Sequence, residues 1–587
     1  MLTNRTRRDN RTTHFENVAQ AILFLAEKMG LEYLFLTGGT DLAPLQDALV
    51  RFEVDEGAKA SLIAVNVPHE TVSTAMALGY AMYTGKPAAV AVHVHVGTSN
   101  SLGNLMNARR SRVPLLLFAG RTPKTEIGHP GSRDYWIHWG QDVYDQPGIV
   151  REFVKWDYEI TRKENLAEVM ARAFRISQSY PPGPVYLTFA REILMDGVTK
   201  LSTPDPRTAR PPELSVASQD AIQNIANAIL SSKSPLIIAG SAGRNSGTQK
   251  LLLNICRSFA IGVAENVRTY NNYPTTDFCH LGFDTNALVQ TSDLILVLDC
   301  IVPWVPSVVK PKRDAKIFLV DQDASFGEVP MWSFPLDAAI SCDSYVFLSQ
   351  LNQYLEQASK SHNAGVHRIL EERRSRLRER HDAWKSNARK YAIAHSKDKP
   401  IDISWLASCV NELFQREKNF IAVNEYSLDQ NQIEITNPKS YFGQVAAGYL
   451  GRGLGQALGL KLASPNSFVA AFLGDGSYIF SVPEAAHWVS QTYNLPFLTV
   501  VINNQGWAAE KKPIDKLYPK GWSARHSKYI GVYLDPPGQY SKIVEAFGGY
   551  GERVEDPDEI ISALERAASH VKKNRKQAVL DVICKKA

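Results

Sequence analysis

Two polar clusters in the last third of the chain carry the residue types that hold a metal ion and a phosphorylated ligand. The apolar run 468–473 leads straight into Gly474-Asp475-Gly476-Ser477, and the run 496–503 ends in Asn503-Asn504-Gln505-Gly506. Short apolar runs bounded by turn residues read as buried strands, so both clusters fall at strand carboxyl ends, where an open parallel sheet binds its ligands. A divalent ion bridging two phosphates takes hard oxygen ligands in near-octahedral geometry. Asp475, the Asn504 amide and the Gly506 carbonyl supply three such oxygens with a single negative charge. Gly474 and Gly476 let the backbone approach a diphosphate, and Ser477 with the first amides of the next helix can donate to it. A Gly-Asp-Gly triplet alone is a common turn; what makes it specific is the Asn-Asn pair one helix and one strand later.

A second set lies in the N-terminal third. The run 61–67 is followed by Pro68-His69-Glu70, after which Val72, Ala75, Met76, Gly79 and Tyr80 recur at helical spacing. Glu70 is therefore expected in the first turn of a helix at a strand's carboxyl end. An acid there can do chemistry or simply oppose the helix dipole. His93 opens His93-Val94-His95-Val96-Gly97-Thr98-Ser99-Asn100, and Thr40 closes Thr37-Gly38-Gly39-Thr40. A histidine alternating with valine is also an ordinary edge residue, and Gly-Gly-Thr an ordinary helix start. Upstream of the metal cluster, Gly448-Tyr449-Leu450-Gly451-Arg452-Gly453-Leu454-Gly455 fits either a ligand or close helix packing.

The elements that must position these residues follow from periodicity. Apolar runs at 33–37, 61–67, 88–97, 114–120 and 184–189 alternate with helical patterns, which predicts a parallel α/β sheet. Residues 197–218, with Pro204, Pro206, Pro211 and Pro212, have no period and read as a linker. Strands are expected again at 235–240, 294–299 and 316–323, then at 419–425, 468–473, 496–503 and 578–584, with a charged helical connection over 355–400. The fold class is thus α/β, with three doubly wound parallel-sheet domains over 13–196, 215–355 and 400–587.

Composition excludes other classes. At 44% hydrophobic and 21% charged residues the 587-residue chain is globular, and it has no apolar run approaching the ~18 residues needed to span a bilayer. A net charge of +5 with scattered basic residues leaves no nucleic-acid face, and the basic stretch 373–380 reads as a solvated helix. Cys256, Cys279, Cys300, Cys342, Cys409 and Cys584 form no CxxC pair, which suits a reducing compartment. The arginine-rich residues 1–13 lack an apolar h-region, so a disordered N-terminus and a cytoplasmic protein are expected.

The Gly-Asp-Gly and Asn-Asn arrangement resembles the thiamine diphosphate (ThDP) binding motif. Its interval from Gly476 to Asn503 is at the long end of that pattern, with the extra length placed in the helix around 487–493. From about residue 13 to the C-terminus the chain is similar to the acetolactate synthase-like superfamily. It is closer still to a group called thiamine pyrophosphate-requiring proteins, through Gly128-His129-Pro130-Gly131-Ser132-Arg133-Asp134, Ile137-His138-Trp139-Gly140-Gln141 and Val302-Pro303-Trp304. The resemblance implies pyrimidine-binding, middle and diphosphate-binding domains, with Mg²⁺ held by Asp475, Asn504 and Gly506. It also implies cofactor contacts from Asn424, Glu425, Gly448, Leu450, Gly474, Gly476, Ser477 and Trp507, with Leu450 where relatives place a bulky side chain beneath the cofactor. Glu70 falls on the glutamate that meets N1′ of the aminopyrimidine, His93 on a proton-transferring histidine of the benzoylformate decarboxylase branch, and Thr40 on that branch's active-site serine. His138 is implied as a further proton donor and Gln141 as a polar contact.

The same resemblance implies decarboxylation or carboligation of a small-molecule 2-oxo acid or aldehyde by a homodimer or homotetramer with sites between subunits. No nucleic-acid or membrane partner is implied. Tyr144-Asp145 stands where acetolactate synthase has a phenylalanine-glutamine pair, and the middle domain lacks the arginine-rich pattern used for FAD. FAD is accordingly not expected, although Gly240-Ser241-Ala242-Gly243 leaves open either a nucleotide-phosphate cradle or a plain strand-to-helix turn. Two other readings stay open: a 2-hydroxyacyl-CoA or oxalyl-CoA lyase with its nucleotide in the middle domain, and a catalytically silent regulatory homologue.

Overall fold

Parallel strands covered on both faces by helices have no solvent side, so their sequences must be apolar throughout, and the continuous apolar runs fold accordingly. The computed structural model describes residues 13–56, 61–201, 205–360, 364–426 and 428–586 and separates into two units, Met1–Pro212 and Glu213–Ala587. The first unit contains β1 (Thr13–Phe15), β2 (Tyr33–Leu36), β3 (Ile63–Asn66), β4 (Ala88–Val92), β5 (Leu115–Arg121), β6 (Asp157–Ile160), β7 (Val185–Ala190) and β8 (Val198–Leu201). Six of them form a parallel sheet in the order β3-β2-β4-β5-β7-β6, while β1 and β8 pair antiparallel.

The second unit holds two parallel sheets. One comprises β9 (Pro235–Ala239), β10 (Gly262–Glu265), β11 (Leu294–Leu298), β12 (Lys316–Asp321) and β13 (Ala338–Ser341), ordered β10-β9-β11-β12-β13. The other comprises β14 (Phe420–Glu425), β15 (Tyr441–Phe442), β16 (Phe468–Gly474), β17 (Leu498–Asn503), β18 (Tyr550–Val554) and β19 (Ala578–Ile583), ordered β15-β14-β16-β17-β19-β18. In each sheet the chain winds outward once and then turns back across its starting strand. That leaves a reversal of winding between β2 and β4, between β9 and β11, and between β14 and β16. At such a reversal neighbouring connections diverge to opposite faces and open a crevice at the strand carboxyl ends. The architecture is the expected one, three doubly wound parallel α/β layers.

Several local readings are corrected. Residues 94–97 alternate like a strand but open the helix Val94–Ser111, because the chain turns sharply after β4 with Val94 at φ 25°. The linker reading of 197–218 missed β8, four residues whose pairing with β1 the flanking prolines disguise. The edge strands β3, β6, β10, β13, β15 and β18 are short or only partly buried, and of these only β3 falls in one of the runs expected from the sequence. The basic stretch near Arg373 is not wholly solvated. Arg373 is 2% exposed and donates to the Phe259, Ile229 and Leu230 carbonyls at the ends of the helices Ser246–Phe259 and Gln219–Ser231. Terminal carbonyls of helices are unsatisfied and carry partial negative charge, which is what draws a guanidinium inward.

A helix of the second unit carries a buried imidazole with a readable pH signature. His487, on the helix Pro483–Thr492, is fully buried, with Nδ1 2.6 Å from Gln577 Oε1 and Nε2 2.7 Å from the Tyr478 hydroxyl. Nδ1 must donate to the amide oxygen, leaving Nε2 to accept from the phenol, so the ring is satisfied only when neutral. Burial pushes its pKa down to about 4. The folded chain therefore has its full stability above the free imidazole value of 6.5 and loses roughly 3 kcal/mol as pH falls through about 4. Thermal melts across that window should show His487→Gln losing less stability than the wild type; parallel losses would place the acid sensitivity elsewhere.

Candidate functional site

In the first unit the crevice between β2 and β4 gathers most of the N-terminal candidates. Glu70 is the first residue of the helix Glu70–Thr84, which follows β3 and is capped by the His69 ring accepting from the Thr71 N–H at 3.1 Å. Its carboxylate is buried and accepts from Asn100 Nδ2 at 3.1 Å. A Cβ on Gly97 would lie 3.1 Å from Glu70 Oε1, so the neighbouring helix approaches the carboxylate closely only because residue 97 is glycine. His93 ends β4 and precedes the helix Val94–Ser111, with its Nδ1 paired to Asp41 and its Nε2 3.1 Å from Gln141 Nε2. Burial opposes charge on this ring, but Asp41 and, more weakly, Glu70 outweigh it and hold the imidazole above its ordinary pKa.

Asp41 is the residue the sequence reading missed. Thr40, singled out from the sequence, is exposed, whereas Asp41 beside it is 1% exposed and faces inward. The space Asp41 fills exists because residue 120 on β5 is glycine, since a Cβ there would sit 1.5 Å from Asp41 Oδ2. His138 is also buried, with Nδ1 3.4 Å from the Asp134 N–H. Burial first, then nearby Arg191, holds its ring below the usual pKa, and its Nε2 has no hydrogen-bond partner among the described residues. The buried Oε1 of Gln141 likewise has none. The structure thus brings Glu70, His93 and Gln141 together with Asp41 and Asn100, and leaves Thr40 on the rim.

In the second unit a cleft of about 710 Å³ opens at the carboxyl ends of β14, β16 and β17. Gly448, Leu450, Gly474, Asp475, Gly476, Ser477, Asn504, Gly506 and Trp507, all sequence candidates, line it. The Asn504 carboxamide oxygen lies 3.1 Å from Asp475 Oδ1 and 2.8 Å from the Gly506 carbonyl oxygen. Adjacent ligands of an octahedral Mg²⁺ with ~2.1 Å bonds sit ~3 Å apart, so the two spacings from Asn504 match neighbouring positions of such a site. Oxygens this close repel unless a rotated amide or a cation stands among them. Asp475 Oδ2 is buried with no hydrogen-bond partner among the described residues. Burial pushes this carboxyl up to about 6, against the lowering effect of the Gly476 and Gly506 backbone N–H groups. A buried carboxylate held at such cost is a fitting ligand for a divalent ion.

The remaining candidates divide by what their side chains touch. A Cβ on Gly476 would lie 2.1 Å from the Trp507 ring, so the indole forms a wall of the cleft only over glycine. Glu425 is fully buried and accepts from the Gly451 and Gly453 N–H groups at 2.6 and 2.7 Å, pinning the glycine-rich segment that presents Leu450. Asn424 donates to the Leu428 carbonyl and the Tyr441 hydroxyl, and Asn503 donates to Asp581. Asn424 and Asn503 therefore hold the loops, Glu425 both holds one and lines the cleft, and Asn504 is the asparagine that meets it.

The crevice between β9 and β11 is filled from within. Gly243 N–H donates to Asn272 Oδ1 at 2.8 Å, Asn272 Nδ2 donates to the Gly240 carbonyl at 2.9 Å, and a Cβ on Gly243 would lie 2.3 Å from the Asn271 carbonyl. The glycines of Gly240-Ser241-Ala242-Gly243 are explained by this close approach of the chain to itself.

Comparison with known proteins adds independent observations. Residues 16–149 match the N-terminal TPP binding domain of the thiamine pyrophosphate enzymes, and residues 425–582 their C-terminal TPP binding domain. The chain is 24% identical to the acetolactate synthase isozyme 3 large subunit of Escherichia coli, over 87% of this chain and 86% of that one. It is equally 24% identical to the acetolactate synthase large subunit of Haemophilus influenzae, over 92% and 90%. Among solved structures it is similar to the thiamine diphosphate-dependent 4-hydroxybenzoylformate decarboxylase of Rhodococcus jostii, with TM-score 0.75 and 20% identity over 97% of this chain and 99% of that one. The benzoylformate decarboxylase of Polynucleobacter necessarius gives TM-score 0.76 and 18% identity over 98% and 99%.

Proposed function

We propose, from the premise that this chain belongs to the thiamine pyrophosphate enzymes, that it uses ThDP and Mg²⁺ to make or break the carbon–carbon bond beside the carbonyl of a 2-oxo acid or related compound. The observation that carries this reading is the oxygen trio of Asp475, Asn504 and Gly506 in a cleft walled by Leu450 and Trp507. Asp475, Asn504 and the Gly506 carbonyl would hold the ion, and Ser477 and the Gly476 backbone would hold phosphate oxygens. The cofactor, when bound, supplies an electron sink for the bond next to the carbonyl.

The protein's own groups supply position and proton control. The Glu70 carboxylate, fixed by Asn100, offers a proton-holding oxygen to the aminopyrimidine N1′. His93 is a proton donor and acceptor at the substrate, with His138 as a second imidazole and Gln141 as a polar contact. Thr40, exposed at the rim, is assigned to the substrate side of the same crevice. Exposed Ile127, Trp136, Trp139 and Tyr144 on the segment after β5 support a partner surface, and the partner we assign is a second copy of this chain, in a dimer or tetramer in the cytoplasm.

A CoA-dependent lyase needs a nucleotide in the middle sheet, and the self-filled Gly240–Gly243 turn speaks against that reading and against FAD. A silent homologue would have no use for the buried Asp475 oxygen that lacks a partner among the described residues. The deciding experiment incubates the purified chain with ThDP, Mg²⁺ and a panel of pyruvate, aromatic 2-oxo acids, hydroxyketones and acyl-CoA compounds, with CO₂ and products followed by mass spectrometry. Turnover of a 2-oxo acid or hydroxyketone is expected. Failure to take up ThDP in the presence of Mg²⁺ would overturn the proposal.

A further inference from the structure

The Asp41–His93–Gln141 line in the first unit goes beyond the roles assigned above. Asp41 Oδ1 pairs with His93 Nδ1, and Asp41 Oδ2 accepts from the Val94 N–H at 3.2 Å. Val94 is a β-branched residue at φ 25°, a conformation such residues rarely adopt, so the carboxylate also steadies a strained junction between β4 and the following helix. The glycines at 39 and 120 make room for the pair: a Cβ at 39 would meet the His93 ring at 2.5 Å, and one at 120 would meet Asp41. Two obligatory packing concessions around one carboxylate and one imidazole mark a built arrangement.

We propose that Asp41 is the positioning residue for proton transfer at His93, its buried carboxylate holding Nδ1–H and so reserving Nε2, which faces Gln141, as the nitrogen that takes up and returns a proton. This rests on the reading of His93 as a proton donor and acceptor.

The hydrogen-bond roles fix the tautomer. An ionised carboxylate only accepts, so His93 Nδ1 must carry a proton, and Nε2 of the neutral ring is a lone pair that accepts from the Gln141 amide. When Nε2 gains a proton, no other bond changes and the ring becomes an imidazolium held by Asp41. Gln141 suits both states, because turning its amide brings Oε1, which has no partner among the described residues, onto the new Nε2–H. Glu70 also acts on the ring, and like Asp41 it favours the protonated form.

Asp41→Asn tests this because the substitution has only one satisfactory orientation. The Val94 N–H is a fixed donor and claims the introduced amide oxygen, which leaves the amide NH₂ to donate to His93 Nδ1. The proton must then move to Nε2. Holoenzyme labelled with ring-¹⁵N histidine shows the tautomer directly, the His93 signals being those lost in His93→Gln. The expected result is Nδ1–H in the wild type and Nε2–H in Asp41→Asn. The His93 titration midpoint and the acid limb of the kcat/KM profile should both fall by about one pH unit, with kcat reduced at least about tenfold and KM little changed.

Should Asp41→Asn fail to fold, Asp41→Ser keeps a hydroxyl acceptor for Val94 but cannot hold the ring. It is then expected to give mixed tautomers. An unchanged tautomer, or a reversed one with unchanged kcat while His93→Gln is inactive, overturns the proposal. If His93→Gln itself keeps wild-type kcat, the reading of His93 has failed, and the tautomer result still decides whether Asp41 governs the ring.

Discussion

Glu70→Gln is expected to leave ThDP bound and to lower kcat by roughly 10²–10⁴-fold, the usual contribution of a positioned proton-transfer group. The substitution is nearly isosteric in a place that tolerates little else, with Gly97 packed against one carboxylate oxygen and Asn100 donating to the other. The new amide oxygen can still accept from Asn100, so the helix Glu70–Thr84 and its His69 cap should survive. What disappears is the ability to hold and return a proton at that oxygen. Calorimetric ThDP affinity within a few-fold of wild type, beside collapsed turnover on the best substrate, is the expected pair of results. A kcat within about threefold of wild type would remove Glu70 from the chemistry.

How much of this was legible in advance depended on whether partners are neighbours in sequence. β4, β5, β7, β14, β16, β17 and β19 are buried on both faces and read as predominantly apolar runs. The partly buried edge strands β6 and β18 mix polar and apolar residues and give no such signal. The candidate phosphate and metal cluster was readable because its members sit directly on strand ends, so locating the strands located residues that line the cleft. Asp41 was not, since its partner His93 is 52 residues away and the two meet only because β3 lies outside β2, leaving β2 beside β4. Alternation of strand and helix predicts a parallel sheet but is silent about strand order. The glycine at 120 carried the missing information in a form that means nothing until its neighbour is known.

The same logic makes Asp475→Asn the sharpest test of the second unit, because its two expected effects have opposite sign. In the ligand-free chain the carboxylate is buried, its Oδ2 lacks a partner among the described residues, and burial has pushed its pKa up to about 6. A neutral amide of the same shape relieves that penalty, so the ligand-free variant should be more stable than wild type by on the order of 1–2 kcal/mol. With Mg²⁺ and ThDP the ranking should invert. A ligand at a hundred times its Kd stabilises the wild type by about 2.7 kcal/mol, whereas a variant that has lost the only charged oxygen of the trio should gain little. Melting curves of both proteins, with and without Mg²⁺ plus ThDP, should therefore cross. Separately, ThDP binding followed by quenching of Trp507, which lines the cleft, should lose its Mg²⁺ dependence. If Asp475→Asn kept the full Mg²⁺-dependent rise in Tm, the ion would have to be held by other oxygens and the cleft would lose its assignment. If the variant were instead less stable than wild type without ligands, the carboxylate would be serving the fold, and the burial argument for a metal ligand would fail with it.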